Sequence, residues 1–155
     1  MRALVVLLAG SLILASCDEN RLYETNYDFE NRYWVLDEEP SFEFQIDDTT
    51  IPYNLYVNIR NELAYPKSNL YFTYYLTDST GTLLEKQLMS EMLFDKKSGE
   101  PFGNSVLGDI YDHQQLLLKD YTFQHPGQYR MRYKHFMRQD TVSGLLAIGL
   151  RVEKP

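Results

Sequence analysis

The chain lacks most of the residues that would build a metal or redox centre. One cysteine in 155 residues excludes an internal disulfide framework and any cysteine-rich zinc site. Histidine is scarce too, at three. Basic residues are the minority, 15 against 22 acidic, for a net charge of −7, so no cationic domain is present to displace counterions from a nucleic-acid backbone. No apolar run is long enough to span a bilayer core of about 30 Å. Beyond the first residues no convincing amphipathic helix can be read. What the chain has in quantity is aromatic side chains. Thirteen Tyr, eight Phe and one Trp, beside only eight Gly and six Pro, argue for a folded domain, because they bury enough area to offset chain entropy.

Arg2 followed by the apolar stretch Ala3 to Ala15 has the form of a secretory signal: a charged start, then a hydrophobic segment too short for a membrane helix. Leu14-Ala15-Ser16-Cys17 resembles a bacterial lipobox, with the single cysteine at the position that would carry diacylglycerol. The expectation is a lipoprotein signal peptide over residues 1–16 and acyl chains on Cys17. Each buried methylene contributes about 0.8 kcal/mol, so several chains hold a protein at a membrane firmly. Asp18-Glu19-Asn20 follow, and the sequence leaves open which membrane and leaflet receive the anchor.

From Cys17 to Asp48 the net charge is −9, whereas residues 49–155 carry +1. Such asymmetry marks 17–40 as a candidate acidic tether ahead of a domain spanning 41–155. In that domain apolar residues recur with period two: Phe42, Phe44, Ile46; then Tyr53, Leu55, Val57, Ile59; then Leu70, Phe72, Tyr74, Leu76. Leu83 to Met92 reads as one strand or two. Tyr129, Met131, Tyr133, His135 and Met137 alternate with Arg130, Arg132, Lys134 and Phe136, and Leu146 to Val152 reads as the last strand. Gly99 to Gly108 reads as a long loop, and Leu116 to Asp120 as at most a short turn. About eight strands at short spacing predict an all-β antiparallel β-sandwich, Ig-like or jelly-roll-like, since each sheet has one apolar face to cover.

Three constellations carry possible function. Asp109, Asp112 and His113 place two carboxylates and an imidazole close together, the composition of an acid/base pair or hydrolase loop, though without a recognised metal spacing. Tyr56, Tyr71 and Tyr75 fall on the polar sides of their strands and suggest an aromatic platform for a glycan or a protein. Arg130, Arg132 and Lys134, with Arg138 nearby, form a basic stripe suited to the chain's own acidic segment, to a partner or to lipid headgroups. Asp47-Asp48 and the 95–100 segment read as turns. No nucleotide-binding, metalloprotease or serine-hydrolase motif occurs, and neither a cofactor nor a metal is expected.

Several longer words point further. Tyr53-Asn54-Leu55-Tyr56-Val57-Asn58-Ile59-Arg60-Asn61, Tyr65-Pro66 with Asn69-Leu70-Tyr71, Leu93-Phe94-Asp95 through Pro101, Leu107-Gly108-Asp109-Ile110-Tyr111-Asp112-His113, and Met137-Arg138-Gln139-Asp140-Thr141 with Gly149-Leu150-Arg151-Val152-Glu153 resemble, in order, the gliding motility lipoprotein H family of Bacteroidetes. That resemblance covers most of the chain after the signal and includes Cys17. It implies a non-enzymatic cell-envelope lipoprotein of the gliding motility apparatus, linked in that group to type IX secretion, with other envelope proteins as partners. It supplies no catalytic residues. The other readings of the residues are a surface glycan-binding lipoprotein using the tyrosines and a hydrolase using the Asp109–His113 segment.

Overall fold

A computed structural model describes residues 18–155; the signal segment 1–16 and Cys17 lie outside the described residues. Eleven strands make up the described chain: β1 (Arg21–Asp28), β2 (Tyr33–Val35), β3 (Ser41–Ile46), β4 (Tyr53–Glu62), β5 (Asn69–Asp78), β6 (Leu83–Met92), β7 (Asn104–Leu107), β8 (Ile110–Tyr121), β9 (Gly127–His135), β10 (Thr141–Ser143) and β11 (Leu145–Glu153). They pair in a five-stranded sheet of order β1-β11-β4-β8-β7, a four-stranded sheet of order β3-β9-β5-β6 and a short β10-β2 ribbon. All pairings are antiparallel. The expected all-β sandwich is the architecture found.

Period-two patterning decides which side of each strand is covered. In β4, Tyr53, Leu55, Val57, Ile59 and Asn61 are buried while Asn54, Tyr56, Asn58, Arg60 and Glu62 are partly exposed. β5, β9 and β3 supply the facing layer with Leu70, Phe72, Tyr74 and Leu76, then Tyr129, Met131 and Tyr133, then Phe42, Phe44 and Ile46. Burying each such side chain contributes about 1.5–3 kcal/mol, so a few misplaced residues would cost the fold its margin. At one end Phe123 packs on four rings, with centroids at 4.4 Å (Tyr129), 4.9 Å (Tyr121), 5.7 Å (Tyr53) and 5.9 Å (Phe44). At the other, Trp34 stacks on Phe29 at 5.3 Å, meets His135 edge-on and donates its indole N–H to the Glu38 carbonyl at 2.7 Å.

Strand directions give the sandwich two distinct ends. β1 begins beside the C-terminus, where Lys154 N–H donates to the Asn20 carbonyl at 2.8 Å. Following the antiparallel register, the 47–52, 79–82 and 122–126 connections share that end. The 29–32, 63–68, 108–109 and 136–140 connections lie at the opposite end. Leu63 N–H donating to the Asp109 carbonyl and Gly144 N–H to the Arg32 carbonyl join them there.

Four expectations need correction. The acidic tether or extension is not set apart from a domain starting at 41: β1 pairs along its length with β11, and β2 with β10. Arg151 explains the first pairing. Its side chain is only 15% exposed and binds Asp18, Glu24 and Glu153, so the acidic segment is held against the sheet by a cation 127 residues from Glu24. Gly99 to Gly108 is not one long loop, because β7 leaves it and returns through Gly108, whose φ of 57° suits glycine, into β8. Leu116 to Asp120 lies within β8, where register shifts at Leu55 bend the ladder. The strands number eleven rather than about eight; eight have six or more residues, and the short β2, β7 and β10 carry too few residues to display a period.

Candidate functional site

The three tyrosines do not share a platform. Tyr71 and Tyr75 stand on the outer side of β5, in the four-stranded sheet, and Tyr56 on the outer side of β4, in the five-stranded one. Outer faces of a sandwich look in opposite directions. Tyr75 is also covered, with the Arg132 guanidinium 4.2 Å and the Lys86 ammonium 5.3 Å from its ring centroid.

Asp109, Asp112 and His113 are close in sequence but do not converge. Asp109 sits in the β7–β8 turn, exposed, its carbonyl taken by Leu63. Asp112 and His113 are neighbours on β8 and therefore face opposite ways. Asp112 points outward and accepts two hydrogen bonds from Arg60, at 2.7 and 2.8 Å. His113 pairs with Ile59, is 7% exposed and lies against Gly103, where an added Cβ would come within 2.6 Å of Nε2. Burial lowers the His113 pKa despite the pull of Asp112, so the ring stays neutral and has no carboxylate to exchange a proton with. Among the described residues no three His, Cys, Asp or Glu side chains are grouped as metal ligands.

Most of the basic stripe is answered from within the acidic segment. Arg130 meets Glu43 at 2.5 Å, Arg132 binds Glu39, and Lys134 approaches Glu39 at 3.1 Å. The side chains of these pairs are 30–55% exposed and each pair contributes about 0–1 kcal/mol; their effect is to neutralise the face. Arg138 has no such partner among the described residues. The aspartates read as turn residues do that work. Asp48 accepts from Thr50, Asp78 from Thr80 and Thr82, and Asp95 from Lys97 and Ser98, and those hydrogen bonds hold all three carboxyls below their usual range.

Two of the surface depressions involve candidate residues. On the outer face of the five-stranded sheet, a polar trough of about 370 Å³ has Ala147 in its floor, with Asn26, Asn58, Arg60, Asp112 and Gln114 around it. Its groups satisfy one another: Gln114 donates to Asn58, Asn58 to Glu24, and Arg60 to Asp112. The second, of about 550 Å³, crosses the outer face of the four-stranded sheet at the end away from the N-terminus. Tyr71, Leu88, Phe136 and Met137 form its wall, with Lys67, Arg138 and Gln139 at the rim. Phe136 is 66%, Leu88 50% and Tyr71 41% exposed. Sequence reasoning found Tyr71 and Arg138 but missed Lys67, Leu88 and Met137. Phe136 carried a signal, being an aromatic ring on the cationic, solvent-facing side of the β9 alternation.

Fold and surfaces together define a β-sandwich whose available features are faces and grooves, with its N-terminal strand clamped beside the segment expected to carry a lipid. Comparison with known proteins is specific. The family profile described as GldH lipoprotein matches residues 21–152. The chain is 26% identical to "Gliding motility lipoprotein GldH" of Flavobacterium johnsoniae, covering 96% of this chain and 94% of that protein. It is 27% identical to "Gliding motility lipoprotein GldH homolog" of Christiangramia forsetii, covering 92% and 90%. Among solved structures, the infectious bursal disease virus VP2 subviral particle aligns with 97% of this chain and 37% of its own, at 13% identity and a TM-score of 0.46. The chain belongs to the GldH lipoprotein family. It is accordingly a gliding-motility-associated lipoprotein of the cell envelope, and no helix of the described residues is long and apolar enough to cross a membrane.

Proposed function

We propose that the protein is a non-enzymatic component of, or accessory to, the gliding motility and type IX secretion machinery, anchored through acyl chains on Cys17 and acting through protein contacts. The family match along almost the whole sandwich carries this reading. Two features support it. Asp112 and His113 are separated onto opposite faces of β8 with Asp109 in the turn before it, and an exposed apolar groove lies at the end away from residue 18. β1 rises about 3.3 Å per residue over Arg21–Asp28, so that end lies some 25 Å from Arg21 along the strand.

The test is crosslinking in intact envelopes followed by capture of the chain. Recovery of motility or secretion subunits supports the role, and their absence from a capture that recovers the chain itself defeats it. Fractionation of Cys17→Ala tests the anchor separately. Loss from the membrane fraction is expected, and retention would count against acylation at this position.

A further inference from the structure

Exposed large apolar side chains are distributed unevenly over the sandwich. Leu22, Leu83 and Leu84 lie toward the end that holds the N-terminus, whereas Tyr27, Tyr33, Leu63, Leu107 and Phe136 lie at or beside the other. Phe136 is joined by the exposed Tyr71 and Leu88 in a groove, the row Phe136–Tyr71–Leu88 running across three adjacent strands or their extensions. Its shape is fixed before any partner arrives. Phe136 N–H donates to the Tyr71 carbonyl at 2.7 Å, and Tyr71 N–H to the Met137 sulfur at 3.2 Å, so the chain leaving β9 stays pinned beside β5. Little ordering entropy then remains to oppose binding.

The charge around the groove has one sign. Lys67 and Arg138 are exposed, neither forms an ion pair among the described residues, and no carboxylate lines the groove. This sets them apart from Arg32, Arg60, Arg130, Arg132, Lys134 and Arg151, all neutralised by carboxylates of the same chain. Other lysines of the described residues are unpaired too, but Lys67 and Arg138 are the two cations that flank this apolar row.

We propose that this groove is the docking site for an extended, acidic segment of another envelope protein. The segment crosses the outer face over the β9 extension, β5 and β6, puts apolar side chains against Phe136, Tyr71 and Leu88, and sets its carboxylates on Lys67 and Arg138. Apolar burial at the centre and charge pairing at the rim match the anatomy of protein interfaces. A lipid surface is a poorer occupant because the groove sits at the end of the sandwich opposite residue 18. This deepens the contact role proposed above and rests on it.

The experiment places a photoreactive phenylalanine analogue at Leu88 in the full-length, anchored chain, expressed in cells that carry its natural partners. Illumination is followed by mass-spectrometric identification of the peptide joined to it. The expected result is an adduct with one other protein through a segment that is net acidic and bears apolar side chains. Arg138→Glu combined with Lys67→Glu should cut the yield about tenfold, since it reverses the steering charge while touching only exposed groups. The same analogue at Lys119, on β8 of the other sheet, should give no such adduct. The proposal is overturned by an adduct with lipid, with a second copy or with a basic segment, by no adduct, or by a yield indifferent to charge reversal. An acidic partner segment from a protein outside motility and secretion would uphold the groove and sink the functional assignment, so the two fail separately.

Discussion

Phe123→Ala should be among the most damaging single substitutions in the molecule. Phe123, in the β8–β9 connection, is 2% exposed and touches four aromatic rings drawn from both sheets, so truncation empties a site that no neighbour can collapse into without breaking another ring contact. Phe→Ala in a core costs about 3–5 kcal/mol, and each lost aromatic pair is worth about 0.5–1.5 kcal/mol beyond area alone, so the expected loss is at least the middle of that range, about 4 kcal/mol. Against a total of about 5–15 kcal/mol for a domain, that is a large share. The only tryptophan, Trp34, is fully buried and reports unfolding by fluorescence. With a urea slope of about 2 kcal/mol per molar, the midpoint should fall by about 2 M. Phe136→Ala, at a position 66% exposed, should stay within about 0.5 kcal/mol of the parent. A Phe123→Ala midpoint within a few tenths molar of the parent, or an equal loss at Phe136, would refute this account of the core.

Other outcomes follow from the same geometry. Gly149→Ala should loosen β1 selectively, because the new Cβ would stand 1.9 Å from the Asn26 side-chain oxygen and 2.7 Å from the Thr25 carbonyl; limited proteolysis should then cut within residues 21–28 before the rest of the chain. Burial lowers the pKa of both His113 and His135, outweighing the attraction of Asp112 for the first and of Asp140 for the second. A depressed histidine contributes stability that is present above its unfolded value near 6.5 and is lost as pH falls through the folded pKa, so unfolding free energy should drop by up to about 1.4 kcal/mol per pH unit for each ring. Chemical denaturation at a series of pH values below 6.5 should show this slope, and replacing both by Phe should flatten it. Asp78→Ala removes the acceptor for Thr80 and Thr82 in the β5–β6 turn and should raise amide exchange across residues 78–83 without disturbing β4.

Legibility in the sequence tracked how local the deciding forces were. β3, β4, β5, β9 and β11 could be read because one face of each is buried, and burial imposes period two on a short window. β1 could not. Its residues are almost all polar, and what fixes it is pairing with β11 and the clasp of Arg151, more than a hundred residues away. Composition there suggested a tether, and the charges proved to be bonding partners. His113 was misjudged for a related reason, since a segment rich in Gly and Asp looks like a loop until long-range pairing makes it a strand. The tyrosines were assigned correctly to the outer sides of their strands, yet which sheet each strand joins depends on topology, and that put Tyr56 on the far side of the molecule. Lys67, Leu88 and Met137 come together only through the ordering of β6, β5 and the chain after β9, so no short motif announces the groove.

On the function proposed above, a lipid-held sandwich binds other proteins of the motility and secretion apparatus. Crosslinked capture of the full-length chain from intact envelopes, compared with its Arg138→Glu and Lys67→Glu double variant at equal abundance, tests this most directly. The account predicts that motility or secretion subunits are recovered with the parent chain and depleted about tenfold with the variant. Capture of no such subunit with the parent chain would contradict it.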